Sequence, residues 1–159
     1  KIGIPDSVLL KPDRLTQDEF RVIQQHPEIG YKIIDGIGRL RFALPGILYH
    51  HERFDGKGYP HHLKGEEIPL MARILAVADA YDAMTRSRVY RTAMSRAEAC
   101  GILREGRNTQ WDPRAVDACL EWLGDTSTSE EESLCSTNPT SFYSSLQSAS
   151  QIDYQAARN

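Results

Sequence analysis

The residues of this sequence that most directly suggest chemistry lie in one short stretch, HHERFDGKGYP, which begins with the adjacent histidines His50 and His51. Neighbouring side chains of an α-helix point about 100° apart, because a turn takes about 3.6 residues. The two imidazoles are therefore expected to serve different ions of a two-metal site, or to divide metal and substrate binding between them. Imidazole suits first-row transition metals, and a nearby carboxylate favours iron or manganese. The alternative is a pair of surface histidines at a fraying helix end.

Two residues elsewhere are candidate partners of these histidines. His26 stands at a predicted helix end, where it could point across a cleft or act as a capping or partly buried histidine. Asp79 lies inside the apolar stretch ILAVADAYDAMT, where a carboxylate is costly unless it is paired or bound to metal. Asp82 follows three residues later on nearly the same helix face. The alternative is that Asp79 pairs with an arginine such as Arg73 or Arg86.

The stretch RFDGKGYP directly after the histidines is predicted to form a tight turn. Gly56 and Gly58 allow positive φ, so the backbone can turn sharply and approach a ligand closely. His61 and His62 follow in a polar loop and are expected to be exposed. The glycine pattern also fits an ordinary turn, and its interest comes from its place after the histidines.

The stretch TRSRVYRTAMSR contains arginines with no acidic residue between them. On an acidic chain it is a local positive patch suited to bidentate contacts with phosphate. The alternative is a solvated loop whose arginines pair with nearby carboxylates. The arginines are Arg86, Arg88, Arg91 and Arg96.

Other catalytic signatures are missing from the sequence, which has no G-x-S-x-G motif, no P-loop and no Ser-His-Asp pattern. The residues present best support hydrolysis of a phosphodiester by metal-activated water. A metal ion lowers the pKa of bound water, and a two-ion site stabilises both the attacking and the leaving oxygen.

Composition narrows the class of protein. The chain has 159 residues, of which 40% are hydrophobic and 26% charged, and this suits one globular domain with a modest core. A net charge of -3 argues against general binding to nucleic acid or membrane surfaces. No apolar run is long enough to cross a bilayer, and no signal-peptide pattern appears. Widely spaced cysteines without a C-x-x-C motif fit a reducing cytoplasm. These are Cys100, Cys119 and Cys135.

The elements that must position the candidate residues are predicted to be helices, and the fold class is all-α. Capping boxes and an Asp-Pro pair mark helix starts at Thr16, Ser95 and Asp112. No stretch alternates in the manner of a strand. Pro45 is a possible kink or restart within the third helix. The predicted helices cover about residues 16–26, 27–35, 39–52, 70–85, 95–107 and 112–123.

The last part of the chain, residues 125–159, has a different composition. It holds thirteen serines and threonines and an acidic cluster of three glutamates, with few large apolar residues. Such a segment buries too little surface to offset its ordering entropy, so it is predicted to be a largely disordered tail. A partly helical extension over residues 146–157 is the alternative.

Taken together, these motifs resemble the C-terminal two-thirds of an HD-GYP domain, a branch of the HD metal-dependent phosphohydrolases. The resemblance covers residues 1–124 in the family's order and close to its spacing. Its most specific part is HHERFDGKGYP followed by ADAYDAMT. The other matching pieces are KIGIPDSVLLKP, QQHPEIGYKII, IPLMARILAVADAYDAMT, SRVYRTAMS and WDPRAVDACLEWL.

The resemblance implies an HD-type helical bundle, incomplete here, that holds two or three iron or manganese ions and hydrolyses cyclic di-GMP to the linear dinucleotide or GMP. It implies metal binding by His26, His50, His51 and Asp79. Lys1 would contact the substrate phosphate in the catalytic site, and Asp82, Arg88 and Arg91 would lie near the bound dinucleotide. The signature loop, a structural and partner-contact element, would contain Arg53, Asp55, Gly58, Tyr59 and Pro60.

The chain departs from the family pattern at its start, because the family's His-Asp pair would lie just before Lys1. A fragment is therefore expected, which alone would be a poor enzyme with marginal stability. A sensory or receiver domain is expected upstream in the parent protein, and diguanylate cyclase domains are possible partners. Two other functions stay open: a binding module without turnover, and a hydrolase of another nucleotide or phosphate ester.

Overall fold

The computed structural model describes residues 2–11, 13–87 and 92–125 of the chain. Within these residues the regular structure is helical, with one isolated bridge between Arg107 and Trp111 and no strand. The predicted all-α class is confirmed. The α-helices are α1 (Asp6–Leu9), α2 (Gln17–Ile23), α3 (His26–Asp35), α4 (Leu44–Tyr49), α5 (Leu70–Thr85), α6 (Arg96–Glu105) and α7 (Pro113–Trp122).

The predicted helix starts are confirmed by their hydrogen bonds. At the start of α2, Thr16 Oγ1 accepts from the backbone N–H of Glu19, and the Glu19 carboxylate accepts from the backbone N–H of Thr16. Ser95 and Glu98 form the same reciprocal pair before α6. The Asp112 carboxylate accepts from the backbone N–H of Arg114, 2.8 Å away, at the start of α7. These bonds satisfy N–H groups that the first turn leaves without helical partners.

The predicted helix over residues 39–52 is divided in the structure. A 3₁₀ segment covers Gly38–Ala43, and α4 then runs over Leu44–Tyr49. Pro45 lies in the first turn of α4, where its missing N–H costs nothing. Because α4 ends at Tyr49, His50 is the C-cap residue and His51 already lies beyond the helix.

The main hydrophobic core lies between α5, α6 and α7. Val77 of α5, Leu103 of α6 and Val116 of α7 are at its centre and almost fully buried. A smaller cluster around Ile4 and Ile23 joins the N-terminal segment to α2. The helices α3, α4 and α5 pack in sequence order, so α4 lies between the other two.

The long helix α5 buries only one of its faces. Its buried residues are small or medium-sized: Ala72, Val77, Ala80, Ala83 and Met84. The opposite face exposes four large apolar side chains, among them Ile74 at 52% exposure. No helix of the described residues is long and apolar enough to cross a membrane. Except for Asp125, the predicted disordered tail lies outside the part of the chain that the structure describes.

Candidate metal centre

Three of the predicted metal ligands meet in the structure. The ligand atoms of His26, His50 and His51 all lie within 4.8 Å of one another. His26 Nε2 and His51 Nε2 are 3.1 Å apart. Two imidazole nitrogens bound to one ion at about 2.0–2.1 Å would be about 3 Å apart, so this spacing fits a shared ion. Because α4 ends at Tyr49, His50 and His51 are not spaced as in a continuous helix, and whether they bind the same ion or different ones stays a prediction.

The backbone holds two of these rings in a metal-binding orientation. His26 Nδ1 lies 2.7 Å from the carbonyl oxygen of Ile23, and His50 Nδ1 lies 2.9 Å from that of Ile47. A carbonyl oxygen can only accept, so each Nδ1 must carry the proton and donate it. In the neutral ring Nε2 then keeps its lone pair, which is the arrangement typical of metal-ligating histidines.

Burial also favours the neutral form of His50. Burial lowers the pKa of its imidazole, and the hydrogen bond to the Ile47 carbonyl and the negative charge of Asp79 oppose this shift only in part. A neutral imidazole is the form that binds a metal ion. The donor set of the cluster therefore fits a divalent transition metal.

The histidines line a cleft of about 570 Å³ between α3, α4 and α5. Small residues line it as well, Gly30 of α3 and Gly46 of α4, which let the helices lie close together. Asp79 and Asp82 of α5 line one wall, on the same helix face as predicted. A cleft of this volume is in the usual range for small-molecule sites.

Asp79 faces this cleft and is exposed. The expected energetic cost of burying its carboxylate in the apolar helix therefore does not arise, and its position in the cleft is the argument for a metal role. Its oxygens are not part of the tight group of ligand atoms formed by the histidines. Metal binding by Asp79 stays a prediction.

The two arginines considered as partners of Asp79 pair with other carboxylates. Arg73 forms an ion pair with Asp112, whose side chain is fully buried. Arg86 lies 2.8 Å from Asp82, one helical turn away. One arginine of the predicted patch, Arg86, is thus paired with a carboxylate, as expected if the patch is a solvated loop whose arginines pair with nearby carboxylates. Lys1, Arg88 and Arg91 lie outside the described residues.

The loop after the histidines is anchored by Glu52, a residue that sequence reasoning passed over. The residue is 4% exposed, and its carboxylate accepts hydrogen bonds from the backbone N–H groups of His61, at 2.6 Å, and Leu63, at 3.1 Å. The carboxylate thus closes the loop onto its own start. The sequence did contain a signal for this role: a glutamate between the histidine pair and the glycines, where a carboxylate can accept from backbone N–H groups of a turn. His61 and His62 are exposed, as predicted.

An ion pair also stabilises this loop. Arg53 binds the Asp55 carboxylate with two nitrogens, at 3.1 and 2.8 Å. Burial raises the pKa of Asp55, but the hydrogen bonds from Arg53 and from the backbone N–H of Lys57 outweigh it and hold the pKa below its usual value. The backbone N–H of Asp55 also donates to the carbonyl oxygen of Thr109, which ties the loop to the segment before α7.

The loop glycines serve two different purposes. Gly56 has a φ of +83°, as the turn pattern predicts. Gly58 does not adopt positive φ; a Cβ there would lie 2.2 Å from the backbone nitrogen of Arg53 and 2.5 Å from the carbonyl oxygen of His51. Gly58 is therefore needed for space. The Tyr59–Pro60 peptide bond in the same loop is cis.

Comparison with known proteins agrees with this arrangement. The family profile described as HD domain matches residues 1–115. The chain is 51% identical over 123 residues to the cyclic di-GMP phosphodiesterase response regulator RpfG of Xanthomonas campestris pv. campestris, covering 76% of the chain and 32% of the relative. It is 46% identical over 127 residues to a cyclic di-GMP phosphodiesterase of Vibrio cholerae, covering 76% of the chain and 26% of that relative.

A solved structure is similar over most of the chain. The crystal structure of a cyclic GMP-AMP specific phosphodiesterase of V. cholerae, V-cGAP3, matches with a TM-score of 0.55 and 25% identity. The match covers 89% of this chain and 30% of that one. The chain spans about a third or less of the length of the relatives it matches. HD domains bind divalent metal ions, which the histidine cluster fits. This chain belongs to the HD domain family, in its HD-GYP branch.

Proposed function

We propose that the protein carrying this chain is a metal-dependent phosphodiesterase that hydrolyses cyclic di-GMP in bacterial second-messenger signalling. The observation that carries the proposal is the cluster of His26, His50 and His51, which lines a cleft. The similarity to cyclic di-GMP phosphodiesterases of 51% and 46% identity supports the substrate. The product would be the linear dinucleotide or GMP.

The metal would be iron or manganese, with two or three ions in a complete site. Imidazole nitrogens combined with a carboxylate suit these metals. His26, His50 and His51 would bind them through Nε2, and Asp79 would add an oxygen from the wall of the cleft. A bound divalent ion supplies Lewis acidity and lowers the pKa of water.

The chain's own residues would hold the substrate. Asp82 lines the cleft and pairs with Arg86, which places one arginine of the predicted patch beside the cleft, with its charge balanced by Asp82. Arg88 and Arg91 follow in the sequence and would extend this patch. Lys1 precedes Ile2, a cleft residue, which supports a phosphate contact for Lys1. In the reaction water supplies the incoming oxygen, one phosphorus–oxygen ester bond breaks, and the leaving ribose oxygen takes up a proton.

Cyclic GMP-AMP is a second candidate substrate. A solved structure with a similar fold is a phosphodiesterase specific for that dinucleotide, and a V. cholerae 3'3'-cGAMP-specific phosphodiesterase is 35% identical to this chain. The two substrates differ in one base, and both present the same two phosphodiester bonds to the metal centre. The higher identity to cyclic di-GMP phosphodiesterases favours cyclic di-GMP.

The protein would act within a signalling pathway. The Xanthomonas relative is a response regulator, and the region matched here covers 32% of its length. An N-terminal sensory or receiver domain would therefore control the site. The exposed side of the signature loop could contact diguanylate cyclase domains, which make the same messenger.

Product analysis tests this function. The full-length protein that carries these residues is purified without oxygen, supplied with iron(II) or manganese(II), and incubated with cyclic di-GMP or cyclic GMP-AMP. Chromatography should show the linear dinucleotide or the mononucleotide, formed faster from cyclic di-GMP. His51→Ala and Asp79→Ala should lose this activity, and His61→Ala, at an exposed loop histidine, should keep it.

Two other results would change the conclusion. Faster turnover of cyclic GMP-AMP would reassign the substrate within the same chemistry. Binding of cyclic di-GMP by the metal-loaded protein without any product would contradict the phosphodiesterase and indicate a binding module.

A further inference from the structure

We infer that Tyr59 is a positioning residue for His51: its ring fixes the plane of the His51 imidazole and so directs Nε2 towards the histidine cluster. The inference rests on the metal-binding part of the proposed function and is independent of the substrate. Tyr59 lies in the signature loop, and its backbone and side chain contact the histidine that opens the loop.

The two rings are stacked. Their centroids are 4.9 Å apart and their planes differ by 21°. The terminal torsion of a histidine side chain is broad, so the backbone alone leaves the ring plane poorly defined. A parallel aromatic face removes that freedom, because rotation of the imidazole would drive its edge into the tyrosine ring. Offset stacking at such a distance is also attractive.

Tyr59 is held in place by its backbone and by a second aromatic ring. The backbone N–H of Tyr59 donates to the carbonyl oxygen of His51, 3.2 Å away, so the two residues are joined through the backbone as well as through their rings. Phe20 of α2 meets the Tyr59 ring edge-on, at 6.2 Å between centroids and 82° between planes. The imidazole therefore stacks on a surface that cannot easily move away.

Two further contacts within the loop hold Tyr59 in position against His51. Glu52 pulls the segment after Pro60 back to the start of the loop through two backbone N–H groups. Gly58 lets the chain pass against the backbone of His51 and Glu52. With both contacts in place, the distance between Tyr59 and the histidine cluster is set by the loop itself.

A metal ligand whose ring is held in place binds more tightly, because less conformational freedom is lost on binding. Partners that orient a metal-bound histidine typically change metal affinity by about 10–100-fold when they are removed. If Tyr59 only filled space, removing its ring would lower the stability of the fold but leave the intrinsic affinity for metal unchanged. Metal affinity thus separates the two roles.

The test is a manganese(II) titration of the full-length protein that carries this chain, in which electron paramagnetic resonance measures the concentration of the free ion. Tyr59→Phe keeps the flat ring, whereas Tyr59→Met fills the space without one. Tyr81→Leu is the matched control, because Tyr81 is a half-buried ring that packs against the core of α5, α6 and α7. Circular dichroism checks folding, and Tyr59→Leu replaces Tyr59→Met if the latter is not folded.

The expected result is an affinity for manganese(II) about tenfold lower for Tyr59→Met and within about twofold of wild type for Tyr59→Phe and Tyr81→Leu. Excess manganese should restore the phosphodiesterase rate of Tyr59→Met. Wild-type affinity in Tyr59→Met, or an equal loss in Tyr81→Leu, would overturn the inference while leaving the metal centre intact. A wild-type protein that binds no manganese would instead overturn the metal part of the proposed function and this inference with it.

Discussion

At the scale of single residues, Glu52 shows how a buried charge organises the loop beside the histidines. Its carboxylate accepts from two backbone N–H groups across the loop. Glu52→Gln replaces one accepting oxygen by a donating amide, so one of these N–H groups would face another donor. We expect a loss of about 1–3 kcal/mol in the free energy of unfolding, measured by urea denaturation.

The control for this change is Glu66→Gln. Glu66 is exposed and pairs with the exposed Arg114 on the surface. Such a pair contributes less than about 1 kcal/mol. An equal effect of the two substitutions would contradict the role given to Glu52.

Gly58 provides a second prediction at this scale. A Cβ at this position would overlap the backbone of three preceding residues, which cannot move aside as a side chain end can. Gly58→Ala is expected to cost about 3 kcal/mol of unfolding free energy. Gly101→Ala, in α6 with open space around the new methyl group, should stabilise by about 0.5–1 kcal/mol. Thermal unfolding of both variants checks the contrast, and a tolerant Gly58→Ala would be the contrary result.

Residue types marked the histidines as candidates and the family resemblance joined them into one ligand set, but neither showed how the cluster is held. His26 and His51 are far apart in sequence, and the motif pattern nevertheless marked both. The roles of Glu52 and Tyr59 depend on how the loop folds back on itself, which no local pattern reveals. Gly58 was marked for the wrong reason, since space rather than φ requires it.

At the scale of elements, the pair of Arg73 and Asp112 joins α5 to the start of α7. The Asp112 side chain is fully buried and that of Arg73 is 9% exposed, and Asp112 is also the N-cap of α7. Burial raises the pKa of Asp112, but hydrogen bonds from the Arg114 backbone N–H and from Arg73 outweigh it and leave the pKa below its usual value. The charged form therefore stabilises the fold.

This pair predicts a pH dependence. Because the folded pKa of Asp112 is lowered, its contribution is complete above the unfolded pKa of about 3.9 and is lost as pH falls through the folded pKa. Asp112→Asn keeps a capping side chain but leaves Arg73 without its counter-charge, which should cost about 3 kcal/mol near pH 6. The difference from wild type should shrink below about pH 4 in urea unfolding experiments.

The matched control is Asp18→Asn, which removes an exposed ion pair with Arg21 on α2. It should cost less than about 0.5 kcal/mol near pH 6. A difference between wild type and Asp112→Asn that grows as the pH falls would contradict the expected direction of the pH dependence.

Elements with strong local signals were predicted well, and those set by packing were not. The capping boxes before α2 and α6 mark their helices in both sequence and structure. For residues 39–52, one helix with a possible restart at Pro45 was predicted. The structure has this restart, with a 3₁₀ segment over Gly38–Ala43 followed by α4, but the end of α4 at Tyr49, before the histidines, was not predicted.

At the scale of the whole molecule, the exposed face of α5 is the main feature that the core does not explain. Met71, Ile74 and Leu75 are exposed on this face, and Leu75 also lines the cleft. Contiguous apolar surface of this kind binds hydrophobic dyes. The double variant Met71→Gln and Ile74→Gln should reduce the fluorescence of the dye ANS on the chain of residues 1–159, with its helical circular dichroism retained.

A single exposed residue is the comparison. Trp122→Gln removes a large side chain that is 82% exposed at the end of α7. It should change dye binding less than the double variant does. The reverse order would contradict a continuous apolar surface on α5. The sequence predicted the helix but not which face is buried, because apolar residues occur on both of its faces.

The proposed function depends on metal binding by the histidine cluster, and a manganese(II) titration measures this binding. Equilibrium titrations would compare the wild-type full-length protein with His26→Ala, and with His61→Ala as the control at an exposed histidine. We predict that His26→Ala lowers the affinity for manganese(II) by about tenfold or more, while His61→Ala binds as the wild type does. Equal binding by wild type and His26→Ala would contradict a metal centre at these histidines.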